Sequence, residues 1–244
     1  MLGPIVGAIS LLSRIPIGSI SLNESDFKKS VMHFPLVGIL TFIVFYLSYT
    51  ILMTLQFDNY LVILLSLAIT YYLFNLFHFD GFLDSIDGLL SQKSKDATLE
   101  IMRKGNTGPS GIFFGIIYIL IKIFLMEKIY VVNLLAMFVL SRWGLSFACV
   151  AGPPARNEGL GNLFLGAKHR YFFIATLYVV ILPFICTVDI LFILASALSV
   201  IAVDYLVIII CTKKIDGITG DILGFLNEIN ELLVLIVLYN TNFS

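Results

Sequence analysis

PLVGILTFIVFYLSYTILMTL, residues 35–55, contains no Asp, Glu, Lys, Arg or His. A stretch of about 20 apolar residues is what an α-helix needs to cross the hydrocarbon core of a bilayer, so this one reads as a membrane span. Working outward from it, further apolar runs occupy residues 60–77, 112–126, 130–150, 171–187 and 190–211, and a last one ends at Tyr239. The run at 112–126 is short, but extending it back to Pro109 gives a crossing length. The last run reaches that length only if its helix starts near Asp221, which puts Asp221, Glu228 and Glu231 inside the membrane or at its mouth. The expectation is an all-α, polytopic transmembrane helical bundle of about seven spans, with residues 1–244 forming a single integral-membrane domain.

Composition agrees. Hydrophobic residues make up 59% of the 244 positions and charged residues 13%, against roughly a quarter charged in soluble domains. The mean hydropathy is +1.00. A net charge of −1 supplies no basic field for a nucleic acid, so none is expected as a partner. Cys149, Cys186 and Cys211 are far apart and lie in or beside apolar runs, so neither a paired disulfide framework nor a CxxC metal site is indicated. Residues 1–18 are apolar but lack a basic leader, and Arg14 and Pro16 stand where a cleavage site would fall. This segment is expected to be retained as an interfacial or re-entrant helix, being too short to span before Arg14.

The basic residues set the orientation. Arg14, Lys28, Lys29, Lys93, Lys95, Arg103, Lys104, Arg156, Lys168, Arg170, Lys213 and Lys214 all fall on one side of the expected topology, twelve of the fifteen Lys and Arg. Positively charged loops stay in the cytoplasm, so the chain is expected in the cell membrane with its chemistry on the cytoplasmic face. Lys128 lies in an opposite loop, while Lys122 and Arg142 are within spans, Lys122 near enough to the outer end to snorkel. The opposite loops, around Asp58, Lys128 and Asp189, are too short to hold a site. The polar segments 19–34, 78–111, 151–170 and 212–220 are where it is expected.

The densest of them is HFDGFLDSIDG, residues 78–88. At 100° per residue on a helix, Asp84 and Asp87 fall about 40° and about 20° from Asp80, so the three carboxylates share one face. Like charges one turn apart, close to a helix C-terminus, repel one another and the helix dipole, and a bound cation offsets both. Asp221, which can also serve as a helix N-cap, and Glu228 are nearly in phase on the last helix, with Glu231 about 60° further round. An all-oxygen set suits Mg²⁺ or Mn²⁺ rather than Zn²⁺. Two facing carboxylate helices can bridge a pyrophosphate through such an ion, which makes phosphotransfer the leading reaction class. On this reading Asp80, Asp84, Asp221 and Glu228 hold the metal, and Asp87 assists deprotonation of the attacking hydroxyl.

Two loops offer phosphate ligands. EIMRKGNTGPSG, residues 100–111, joins Arg103 and Lys104 to a glycine-rich turn, and GPPARNEGLG, residues 152–161, carries Arg156. Both also suit plain roles, as positive-side anchor and as connector. Arg142 and Asp204 lie within apolar runs and are costly there unless paired, which suggests a pair. His33 and His169 are isolated and read as interfacial.

From about Leu11 to Glu231 these motifs resemble the cobalamin synthase family. Residues 78–88 are similar to its His-x-Asp-Gly-x-x-Asp-x-x-Asp-Gly run, and Glu100-Ile101-Met102-Arg103 with Gly108 and Gly111 resembles its next loop. ARNEGLG, residues 155–161, and TGDILG, residues 219–224, with Glu228 and Glu231, match two more; SRIP, residues 13–16, and FPLVG, residues 34–38, echo its start. Six matches in order are specific where any one would be weak. The resemblance implies an Mg²⁺-dependent adenosylcobinamide-GDP ribazoletransferase acting late in nucleotide-loop assembly. Such an enzyme transfers the cobinamide phosphate of adenosylcobinamide-GDP to a ribose hydroxyl of α-ribazole or of its 5′-phosphate, giving adenosylcobalamin or its phosphate and GMP. It further implies substrate contacts from Arg14, His78, Arg103, Arg156, Glu158, Gly159, Gly161 and Glu231, with residues 159–161 lining the nucleotide or corrinoid site. Lys104-Gly105 stands where the family usually shows Asp-Ser, so no acid can be carried over there, and Lys104 is expected to meet phosphate instead. The partners expected are these two substrates and the lipid bilayer, with a homo-oligomer or pathway enzymes left open.

Two rivals make other demands. A CDP-alcohol phosphotransferase expects Ala-Arg after the second Asp-Gly and longer spacings, which are missing. A cation- or proton-coupled transporter using Asp204, Glu228 and Glu231 expects mid-membrane acids and a two-fold repeat.

Overall fold

The computed structural model describes residues 2–17, 21–156 and 159–240. Its α-helices are α1 (Leu2–Leu12), α2 (Glu24–Ser30), α3 (Phe34–Met53), α4 (Asn59–Thr70), α5 (Leu76–Leu90), α6 (Lys95–Lys104), α7 (Pro109–Glu127), α8 (Leu134–Ala151), α9 (His169–Val179), α10 (Leu182–Ile185), α11 (Ile190–Ile215) and α12 (Gly220–Tyr239). The described residues contain no β-strand, only an isolated parallel bridge between Pro154 and Ile218. The all-α membrane bundle is thus the observed architecture.

Among the described residues six helices are long and apolar enough to cross a membrane: Glu24–Met53, Asn59–Leu90, Pro109–Glu127, Val131–Ala151, Ile190–Ile215 and Gly220–Tyr239. The remaining expected span, 171–187, forms a broken helix, α9 then α10. It still runs the length of its neighbour α8. Ala167 N–H donates to the Cys149 carbonyl (3.2 Å) at one end of α8, and Thr187 N–H donates to Asn133 Oδ1 (2.8 Å) at the other. Between these points Trp143 stacks on Phe172 and donates to Thr176 Oγ1 (3.0 Å). The segment 171–187 thus runs beside α8 as a shorter apolar helix interrupted before Pro183, and six helices rather than seven reach spanning length among the described residues.

α8 is the centre of the bundle. It is buried almost all round, as expected of a helix surrounded by others rather than by solvent or lipid. Gly38 lets α3 close on it, since a Cβ there would stand 2.3 Å from the Phe138 carbonyl oxygen. The N-terminal helix is too short to span and packs on α2. α1 follows α2 in parallel, Gly3 beside Asp26 and Gly7 beside Ser30, and the chain then turns so that Arg14 N–H donates to the Leu73 carbonyl (2.7 Å). Leu73 lies in a π-helical turn, Tyr71–Asn75, that joins α4 to α5 in one continuous helix. Such bulges disturb the regular hydrogen-bond ladder and recur at functional sites.

That joined helix positions the acids. Counted from Asn59 at 1.5 Å per residue, Asp80 lies about 31 Å along the axis and Asp87 about 42 Å. The hydrocarbon core is about 30 Å thick. The aspartates therefore emerge at the membrane edge, at the end of the bundle that also carries residues 152–156 and 216–220.

Candidate active site

α5 and α12 meet through glycine. A Cβ on Gly81 would stand 2.8 Å from the Asp221 carbonyl oxygen, and one on Gly224 would stand 2.6 Å from that of His78. This backbone contact sets the carboxylates of α5 opposite the start of α12. Asp84 is buried and feels the negative charge of Asp80, Asp221 and Asp87. Asp221 is not the N-cap the sequence allows. Thr219 caps α12, its Oγ1 accepting from Ile222 N–H (3.3 Å) and donating to Asp221 Oδ2 (3.2 Å).

Arg156 reaches the same carboxylate, Nη2 to Asp221 Oδ2 at 3.5 Å. Its loop is strapped to the segment before α12, with Ala155 N–H donating to the Ile218 carbonyl (3.0 Å) and Ile218 N–H to that of Pro153 (2.8 Å). Asn162 Nδ2 donates to the Arg156 carbonyl (2.8 Å). Gly161 sits against Gly220, where a Cβ would come within 2.8 Å of the backbone nitrogen. Together Phe77, Asp80, Arg156, Gly159, Gly161, Asn162, Thr219, Gly220 and Asp221 line a cavity of about 310 Å³. Arg156 also lines a second recess, of about 480 Å³, with Asp96, Leu99, Glu100, Arg103 and Lys104. The structure thus brings Asp80, Asp84, Asp221, Arg156, Gly159 and Gly161 together, with Arg103 and Lys104 one recess away. Lys104 pairs with Glu100 (2.8 Å) and, by donating to it, holds that carboxyl below the ordinary glutamate value.

Five expected residues have other surroundings. Asp87 accepts from Gly108 N–H (2.6 Å) and Gly111 N–H (2.9 Å), one bond to each oxygen. Its charge therefore caps the N-terminus of α7 rather than facing the cavity as a base. Glu228 stands apart from the aspartates and is not in position to complete their set. Its Oε2 accepts from Tyr71 (2.5 Å) and Tyr118 (2.6 Å), its Oε1 from Asn75 (3.2 Å) and Asn227 (3.1 Å), and Lys122 Nζ is 3.6 Å away. Glu231, expected at substrate, is fully buried in ion pairs with Lys122 and Arg142. His78 is buried beneath α12 and does not line the cavity. Arg14 is exposed, its guanidinium 5.4 Å over the Tyr72 ring, while Glu158 lies outside the described residues.

The Glu228 and Glu231 network also revises two pairings. Arg142 meets Glu231 instead of Asp204, and Asp204 accepts from Asn230 (2.9 Å). Lys122 turns inward instead of snorkelling, donating to Tyr71 and Tyr118 (2.9 Å each). Its fully buried ammonium is matched there, which an outward turn into lipid would not achieve. Among the described residues no three His, Cys, Asp or Glu side chains come together in a group that could by themselves hold a metal ion.

A family profile described as Cobalamin-5-phosphate synthase matches residues 4–239. Among curated proteins the chain is 34% identical over 232 residues to the adenosylcobinamide-GDP ribazoletransferase of Thermosipho melanesiensis, covering 95% of this chain and 96% of that one. It is 35% identical over 231 residues to that of Fervidobacterium nodosum, covering 94% and 93%. The corresponding protein of Kosmotoga olearia is 34% identical over 236 residues, covering 95% and 96%. No solved structure matches the chain.

Proposed function

Because the chain belongs to the Cobalamin-5-phosphate synthase family, an enzyme family of cobalamin biosynthesis, we propose that it joins adenosylcobinamide-GDP to α-ribazole or its 5′-phosphate. A free ribose hydroxyl of the ribazole, other than the 5′ position that carries the phosphate in the 5′-phosphate form, attacks the phosphorus that bears the cobinamide ester, and the bond from that phosphorus to GMP breaks. GMP leaves, and adenosylcobalamin or its 5′-phosphate forms. The observation that carries this reading is the meeting of Asp80 and Asp221 with Arg156 at one cavity, with Asp84 buried close to both aspartates.

The donors fit Mg²⁺. They are all oxygens, they crowd like charge at the membrane edge, and Mg²⁺ binds through one or two carboxylates while phosphates and water complete its shell. Asp84 and Asp221 would hold it; bound there, the ion neutralises charge on the pyrophosphate and the departing GMP. Glu228 has no part in this set. Asp80, exposed on the cavity wall, is the carboxylate an incoming hydroxyl meets and takes its proton. Arg156 holds phosphate oxygens against Asp221, and Arg103 and Lys104 hold the nucleotide end in the adjoining recess. We place this end of the bundle in the cytoplasm, because twelve of fifteen basic residues belong to it.

The test is product stoichiometry. Purified protein in liposomes is given adenosylcobinamide-GDP and α-ribazole, and GMP and the corrinoid are followed by chromatography. One GMP per adenosylcobalamin is expected, and GMP released without corrinoid product would overturn the transfer.

A further inference from the structure

A further polar recess opens at the same end of the bundle, between α2 and the start of α9. It encloses about 570 Å³ and is lined by Lys28, Lys29, Lys168 and Arg170 against the single acid Glu24. Four cations gather here in a chain whose net charge is −1. Lys28 is committed to structure, donating to the Asn162 (3.0 Å) and Leu165 carbonyls. Lys29, Lys168 and Arg170 form no ion pair among the described residues. Arg170 is pre-ordered, its guanidinium 5.1 Å over the Tyr171 ring and Nη2 donating to the Tyr171 hydroxyl (3.3 Å).

The face below the recess is apolar and exposed. Phe173, Ile174 and Leu177 follow Arg170 at i+3, i+4 and i+7, one stripe of the helix, with Phe173 70% and Leu177 64% exposed. A cationic recess at the membrane edge, continuous with an apolar stripe running into the membrane, has the form of an amphiphile. A free phosphate would use the recess and leave the stripe unexplained.

We propose that this recess binds an anionic diacyl phospholipid, its phosphodiester held by Lys29, Lys168 and Arg170 and an acyl chain lying along Phe173 and Leu177. Basic pockets between helices at the membrane surface recognise lipid headgroups in this manner. Lys28 connects the site to the active-site loop, because one carbonyl it holds, that of Asn162, follows directly on Gly161.

The protein is placed in phosphatidylcholine nanodiscs containing a minor fraction of phosphatidylglycerol, and co-purifying lipid is counted by native mass spectrometry. Wild type should retain phosphatidylglycerol selectively. Lys168→Gln with Arg170→Gln should weaken retention about thirtyfold, from about one kcal/mol per cation. Lys93→Gln with Lys213→Gln, which removes the same charge elsewhere at this end, should leave retention unchanged. Equal losses in the two pairs would reduce the effect to surface charge and overturn the proposal, as would no loss in either. Displacement of the lipid by inorganic phosphate at low concentration would also overturn it, assigning the recess to a free anion. A melting curve in phosphatidylcholine alone separates loss of binding from loss of fold.

Discussion

Asp84 and Asp87 are three residues apart on one helix, yet neighbouring groups give them opposite tasks. Asp84 is buried beside the carboxylates of Asp80, Asp221 and Asp87 and forms no ion pair among the described residues, so a cation would offset the crowded charge there. Asp87 already receives two backbone N–H groups at the start of α7. Asp87→Ala should therefore act on stability, lowering it by about 1–3 kcal/mol, with activity falling only in step. Thermal melting beside turnover checks this, and a collapse in rate at an unchanged melting point would return Asp87 to the chemistry. The phase of the three aspartates was readable in the sequence because a long helix fixes it. What Asp87 faces was not, since Gly108 and Gly111 reach it only through the fold.

At the scale of elements, α12 shows why helical phase alone misassigned Glu228. Seven residues bring it round to the face of Asp221, but they also move it about 10 Å along the axis, from the membrane edge into the bundle. There it joins Lys122, Arg142 and Glu231, two cations and two anions in mutual contact, with Tyr71, Asn75 and Tyr118 completing their hydrogen bonds. Tyr71 and Asn75 belong to the π-turn, which no periodicity in the sequence announces. Removing one partner from such a cluster strands a buried charge. Lys122→Met should cost about 3–5 kcal/mol, whereas Lys122→Met with Glu228→Gln restores neutrality and should recover a large part of it. A double-mutant cycle on melting measures the difference; simple additivity would mean that the four groups do not act as a unit.

Across the whole molecule, the apolar runs specified the bundle because a bilayer leaves a chain few alternatives to helix. The break between α9 and α10 was less legible: the run at 171–187 is long enough as a string, and its interruption before Pro183 is a matter of backbone. The intramembrane carboxylates that a transporter would need are either matched by Lys122 and Arg142 or, for Asp204, bonded to Asn230. The candidate site instead collects at one end. Placing that end in the cytoplasm predicts that a cysteine at Lys93 is labelled by an impermeant thiol reagent only after cells are opened, and one at Asp58 while they are intact. The three native cysteines are buried, so background labelling should be low, and the reverse pattern would invert the topology.

The account rests most heavily on the aspartates of α5 and α12 acting through Mg²⁺, and the direct test is the Mg²⁺ dependence of GMP release by wild type and Asp84→Asn in the same liposomes. Wild type should release GMP only with Mg²⁺, and Asp84→Asn should be slower by about a hundredfold or more with its melting point retained. Release by wild type in the presence of chelator, or an Asp84→Asn protein that turns over at the wild-type rate, would contradict it.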